Sequence, residues 1–281
     1  MDSQLSPIGR FERILLATDA TPRSVDAQRI AMAMARAFGA ALHLASVIVT
    51  HPIAEEVAYI QVEAAGSEVR ELLERLEKQA QDMGIAAQKI LLLGRDPLEM
   101  IVQAAEEHRA DLIVMGRREK PGLLRRIVGT TTTKAIGSAR CPVLVVPEGA
   151  TMWQRRILLA TDGSRFSDAA AVAAARLAEA CRLPVSVIST IRASFSAERA
   201  AQAAEAAARV HGYLAARQIE ADQAVLNGEP DELIVSSAAA FGADLIVIGT
   251  HGRTGWERLG VGSVAESVVK SSPLPVLAVK L

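Results

Sequence analysis

The segment Arg13-Ile14-Leu15-Leu16-Ala17-Thr18-Asp19 returns letter for letter as Arg156-Ile157-Leu158-Leu159-Ala160-Thr161-Asp162. Two further segments return in the same order. Ala110 to Gly116 reappears as Ala243 to Gly249 with Met115 exchanged for Ile248, and Pro142 to Val146 reappears as Pro275 to Val279. The first pair lies 143 positions apart and the other two 133, so the first copy carries about ten extra residues in its middle. Three ordered matches with one length change mean a duplicated unit, and a period this long excludes a solenoid. A chain of 281 residues holds two average domains. The expected boundary is Pro147-Glu148-Gly149-Ala150, giving domains 1–149 and 150–281.

Within each copy, short apolar runs alternate with helical patterns. In the first, residues 14–18 read as a strand, 22–38 as an Ala/Met-rich helix closed by Gly39, and 41–49 as a second strand. Val69, Leu72, Leu73, Leu76 and Ala80 recur at three- and four-residue steps, so the next helix is expected to cover this stretch and stop near Gly84. Strand 89–93, helix 97–108, strand 111–115, helix 130–138 and strand 143–146 complete the unit. Strands apolar on both faces, alternating with helices, imply a parallel sheet covered by helices on either side. Ligands of such sheets sit at the carboxyl ends of the strands, where strand order reverses. Thr161-Asp162-Gly163-Ser164 and Gly249-Thr250-His251-Gly252 both fall there.

Other classes are excluded by what the chain lacks. The formal net charge of −1 gives no global pull toward nucleic acid or anionic lipid. Aromatics at 3% are too sparse for a base-stacking platform. No apolar run approaches the roughly 18 residues that span a bilayer, and Met1 to Arg10 has no apolar signal region. Cys141 and Cys181 form no scaffold, which points to a reducing cytoplasm. The histidines show no metal-ligand spacing, so no metal site is assigned, and no catalytic residue is assigned either.

The most informative stretch is Ile248 to Ala265. Gly249, Gly252, Gly262 and Ser263 spell G-x2-G-x9-G-S between an apolar strand and a helix start. Glycines admit backbone N–H groups close to a ligand, and a helix N-terminus adds unpaired donors and partial positive charge, so the stretch suits a phosphate. GxGxxA at 260–265 also fits a dinucleotide fingerprint, but it follows the fourth strand rather than the first. No P-loop sequence exists. Asp162 and Asp19 can accept from a ribose or adenine, or can cap the strand–helix turn; Ser164 and Ser167 are N-cap candidates. His251 can donate to a phosphate or face solvent. The first copy reads Gly116-Arg117-Arg118-Glu119, nine residues, Gly129-Thr130, so Glu119 stands where the second has Gly252. Its basic neighbours Arg117, Arg118, Lys120, Arg125 and Arg126 can pair with Glu119 or with phosphates, or form a solvated loop.

On these residues the chain resembles the universal stress protein family in tandem form: the ILLATD segments, ADLIVIGTHGRTG followed by GVGSVAESV, and the closing PLPVLAVK. The resemblance implies two Rossmann-like, adenine nucleotide alpha hydrolase-like domains, each a five-stranded parallel sheet of order 3-2-1-4-5. It further implies ATP, with Mg as an optional companion, held by the family positions Asp162, Thr190, Ile248, Gly249, Gly252, Gly262, Ser263 and Val264. In the first copy those positions are Asp19, Val47, Met115, Gly116, Gly129, Thr130 and Thr131, with Glu119 weakening the set. Family members pair through their last strands, so an internal pseudo-dimer through 142–146 and 275–279 is expected, with a homodimer and protein partners also open. The expected role is ATP binding in stress response, with at most slow hydrolysis. The rival readings are an ATP-dependent transferase or hydrolase and an ATP-gated scaffold.

Overall fold

The computed structural model describes residues 9–50, 55–117, 130–192, 194, 196–252 and 260–281, with backbone alone at 55–65, 130 and 131. The first half runs β1 (Arg13–Ala17), α1 (Val25–Phe38), β2 (Ala41–Val49), α2 (Glu55–Asp82), β3 (Ala87–Gly94), α3 (Pro97–Glu107), β4 (Leu112–Gly116), α4 (Thr130–Ser138) and β5 (Val143–Val146). The second half repeats it as β6 (Ile157–Ala160), α5 (Arg165–Cys181), β7 (Val185–Ile191), α6 (Ala197–Ala216), β8 (Ala221–Asn227), α7 (Pro230–Ala240), β9 (Leu245–Gly249), α8 (Ser263–Ser271) and β10 (Val276–Val279).

Among the described residues the strands form one sheet of order β3-β2-β1-β4-β5-β10-β9-β6-β7-β8. Each half therefore has the order 3-2-1-4-5, as the resemblance implied. Every neighbouring pair is parallel except β5 and β10, which meet antiparallel with Val143 opposite Ala278 and Val145 opposite Val276. Alternating strand residues point to opposite faces, and both faces are apolar. Ile14 and Leu16 join a core under α1, α2, α5 and α6. Leu15 and Ala17 join a second core under α3, α4, α7 and α8. Each core runs across both halves without a break. The sheet is thus the shared middle layer of one three-layer body.

Two features depart from the expected elements. Residues 22–38 are a short 3-10 turn, Pro22–Ser24, followed by α1, rather than one continuous α-helix. The long helix α2 begins at Glu55 rather than near Val69, and its 28 residues against 20 in α6 absorb most of the length difference between the copies. The repeated Ala-Asp pair before β4 and β9 has a local task. Asp111 accepts from the N–H groups of Glu12 (2.9 Å) and Arg13 (3.0 Å). Asp244 accepts from Gln154 (2.8 Å), Arg155 (3.0 Å) and Arg156 (3.2 Å). Each carboxylate ties the entry of one central strand to the start of its neighbour. Among the described residues no helix is long and apolar enough to cross a membrane.

At the opposite end of the sheet from the strand exits, the rings of His43 on β2 and His108 after α3 lie 4.8 Å apart. Burial, reinforced by His108 and Arg13, holds the His43 pKa below its ordinary 6.5. The folded chain therefore binds fewer protons than the unfolded chain once the pH drops below about 6.5. Stability present above that pH is lost as the pH falls toward the depressed folded value. Thermal melts should show Tm falling between about pH 7 and pH 5, and His43→Gln should flatten part of that fall; an unchanged slope in the variant would refute the assignment.

Candidate functional site

In the second half the strand order reverses at β6, which lies between β7 and β9. The carboxyl ends of these three strands open onto a cavity of about 520 Å³. That volume lies within the roughly 300–1,000 Å³ range of small-molecule sites. Asp162 enters from the end of β6, Thr190 from β7, Ile248 and Gly249 from β9, Gly252 from the segment beyond it, and Gly262, Ser263 and Val264 from the start of α8. All eight positions singled out in this half line the one cavity.

Asp162 closes the strand–helix turn and also lines the cavity. Its Oδ1 accepts from the Ser164 N–H at 3.0 Å, closing the turn into α5. Its Oδ2 lies toward Gly252, where an added Cβ would come within 2.7 Å of it. Gly252 does not adopt a left-handed φ, so the demand on this position is space beside the Asp162 carboxylate rather than backbone freedom. Ser164 is the N-cap of α5 and accepts from Ser167 N–H at 3.2 Å. Ser167 is not a cap: it is buried in the first turn, donating to Ser164 O at 2.9 Å and accepting from Thr161 Oγ1 at 3.1 Å.

Gly249 has a packing task that spacing did not reveal. A Cβ there would sit 2.7 Å from the Phe166 carbonyl carbon and 2.9 Å from the Ser167 nitrogen. Only a glycine lets the end of β9 pass this close to the first turn of α5. Gly262 donates to Thr250 O at 2.8 Å and is the N-cap of α8, so no side chain caps that helix. The N–H groups of Ser263, Val264 and Ala265 thus lack intrahelical acceptors and meet the cavity, which favours an anion.

His251 is neither purely solvent-facing nor a simple phosphate donor. Its ring packs 5.0 Å from that of Phe166, its Nδ1 contacts Thr250 Oγ1 at 3.1 Å, and it hydrogen-bonds the Gly260 backbone. Burial holds its pKa below 6.5, so it is neutral near pH 7. Arg192, Arg199 and Pro230 also line the cavity and were not singled out from the sequence. Arg192, two residues beyond Thr190, pairs with Glu229 at 2.9 Å, immediately before α7. The only available signal was the nearness of Arg192 to Thr190 in sequence.

The first half is built differently at the same place. Asp19, Val47, Met115 and Gly116 line a cavity of about 80 Å³ together with Arg23 and Arg117. Asp19 Oδ1 accepts from Thr21 Oγ1 at 2.6 Å and from Thr21 N–H at 3.2 Å. Thr130 and Thr131 open α4, whereas Gly129, Glu119, Arg118, Lys120, Arg125 and Arg126 lie outside the described residues. Arg117 reaches across to the other half, donating to the Ser272 carbonyl and, at 3.3 Å, to Val269 O at the end of α8. A cation at a helix C-terminus meets orphan carbonyls and the negative end of the dipole, which explains this destination.

The sequence matches the universal stress protein family over residues 10–147 and again over 154–280. A universal stress protein of Methanocaldococcus jannaschii is 34% identical over 140 residues, covering 48% of this chain and 82% of that protein. One from Thermus aquaticus is 36% identical over 140 residues, covering 48% and 98%. Among solved structures, a universal stress protein from Archaeoglobus fulgidus superposes with a TM-score of 0.79 at 22% identity, over 96% of this chain and 98% of its own. At that identity the likeness speaks for the fold.

The glycine at the end of the fourth strand should be costlier to replace in the second half. Gly249→Ala forces its Cβ into the α5 backbone and should destabilise by about 1–3 kcal/mol. At Gly116 the nearest atom, Arg23 O, is 3.1 Å from the Cβ position. Gly116→Ala should therefore cost less, and equal losses in denaturant unfolding would contradict this.

Proposed function

This chain belongs to the universal stress protein family, and on that premise we propose that it binds ATP in the cavity of its second half and acts in stress response through the bound nucleotide. The observation that carries this reading is the convergence of Asp162, Thr190 and the uncapped start of α8 on one cavity of about 520 Å³. Asp162 Oδ2 is suited to accept from a ribose hydroxyl. The backbone at Thr190 and Ile248 is suited to read the adenine edge. Gly249, Gly252, Gly262, Ser263 and Val264 are suited to wrap the phosphates with backbone N–H groups. Magnesium fits as a companion of the triphosphate, whose oxygens would supply most of its ligands.

The first half is the weaker site. Its cavity is about 80 Å³, and Glu119 occupies the position of Gly252. A carboxylate about 4 Å from a phosphate charge costs on the order of 1–4 kcal/mol. The two repeats, 1–149 and 150–281, then act as an internal pair joined through β5 and β10, taking the place of two separate chains. The cysteines suit a reducing cytoplasm. Burial pushes the Cys141 thiol up to about 12 and raises that of Cys181, so neither is a ready thiolate.

Titration calorimetry of the purified protein should detect ATP binding, and native mass spectrometry at low micromolar nucleotide should show one ATP per chain. Gly252→Glu should weaken binding at least about tenfold, because it brings both a Cβ and a charge against Asp162. Absence of binding, or unchanged affinity in Gly252→Glu, overturns the proposal; two ATP per chain overturns the ranking of the halves.

A further inference from the structure

A seam joins the halves on the face that carries α4 and α8, and it reaches the proposed nucleotide site. Gly137 lies in α4 of the first half, and a Cβ built there would stand 3.3 Å from both the Cα and the carbonyl carbon of Gly260. Gly260 belongs to the second half, two residues ahead of the Gly262 N-cap. Its φ of +142° is one that only glycine adopts readily. Gly260 is also held by His251, which itself packs on Phe166 at the start of α5. The chain entering α8 is thus clamped between a histidine of its own half and a helix of the other.

The seam is tied at both ends. Lys280, just after β10, donates to Gly137 O at 2.5 Å. Arg117, just after β4, donates to the last carbonyls of α8. A glycine within a helix costs about 1 kcal/mol relative to alanine, and Gly137 has no left-handed φ to justify it. In the aligned position of α8 the second copy carries Lys270, so the duplicated unit does not demand glycine here. The close approach of Gly260 is what the position serves.

We propose that Gly137 is a positioning residue for the nucleotide site of the second half: the first half braces Gly260, and through it the Gly262, Ser263 and Val264 amides that face the phosphates. This rests on the reading of the cavity as an ATP site. It gives the first half a task that its own weakened motif would not require. A side chain at 137 would displace Gly260 and turn the amides away, while Asp162 and Thr190, carried by the end of β6 and by β7 rather than by the segment entering α8, would stay in place.

The test uses full-length Gly137→Leu and Gly137→Ala, with ATP and adenosine titrated separately and the unliganded Tm recorded. Gly137→Leu should weaken ATP about tenfold or more while adenosine affinity stays within about twofold. Gly137→Ala should give a smaller loss in the same direction, about two- to threefold, with Tm unchanged or raised because alanine favours the helix. A merely structural lesion would lower both affinities together. Should Gly137→Leu fail to fold, the alanine variant decides alone through its ATP-to-adenosine ratio. An unchanged ratio in a wild-type-like background that binds ATP overturns the bracing role and leaves the cavity's function standing. A wild-type protein that binds neither ligand overturns both.

Discussion

The antiparallel contact of β5 with β10 is the interaction on which the rest of this architecture depends. Each strand is only four residues long and wholly buried, and each is the last strand of a half that would otherwise end in an open edge. An unpaired edge is a row of unsatisfied donors and acceptors. Pairing the two removes both edges at once and places Leu144 opposite Leu277 at the middle of a continuous sheet. It also brings α1 beside α5 on one face and α4 beside α8 on the other, so that the cores above and below run through the joint. The halves cannot be read as two beads on a string.

That junction explains why the sites are asymmetric in structure as well as in sequence. Arg117 and Thr250 occupy aligned positions, yet Arg117 extends from the rim of its own cavity to cap α8 while Thr250 is buried and accepts from Gly262 N–H through its carbonyl. Gly137 and Lys270 are aligned as well. One packs against the other half, whereas the other pairs with Glu266 on its own helix. At both positions the first copy's residue makes a contact between the copies that its aligned partner does not mirror.

Much of this was legible from residues alone. Short apolar runs with both faces apolar, alternating with helices, imply a parallel, doubly covered sheet, and the repeated segments locate β1, β4 and β5 with their counterparts. Asp162, Gly249 and Gly252 were found because strand ends in such sheets are where ligands meet the backbone. The reasons behind them were partly hidden. Gly249 answers to the α5 backbone and Gly252 to the Asp162 carboxylate, contacts between stretches more than 80 residues apart. The start of α2 escaped because Gly66 and Ser67 interrupt the stretch ahead of Val69, where the three- and four-residue apolar spacing becomes regular. The Gly137–Gly260 approach could not be read at all, since neither glycine has an environment until the two halves are joined.

Glycine therefore has three separate meanings along one stretch. Gly249 is small because a helix passes behind it, Gly252 because a carboxylate sits before it, and Gly260 because its backbone turns through φ +142° while resting on a foreign helix. A motif written as G-x2-G-x9-G-S merges the first two with Gly262 and omits Gly260. The omission matters physically. The motif glycines lie in one half and need only a correctly folded domain, whereas Gly260 is seated by residues on both sides of the β5–β10 joint. The geometry of the α8 N-terminus is consequently a property of the paired halves, and a motif search confined to either half cannot register it.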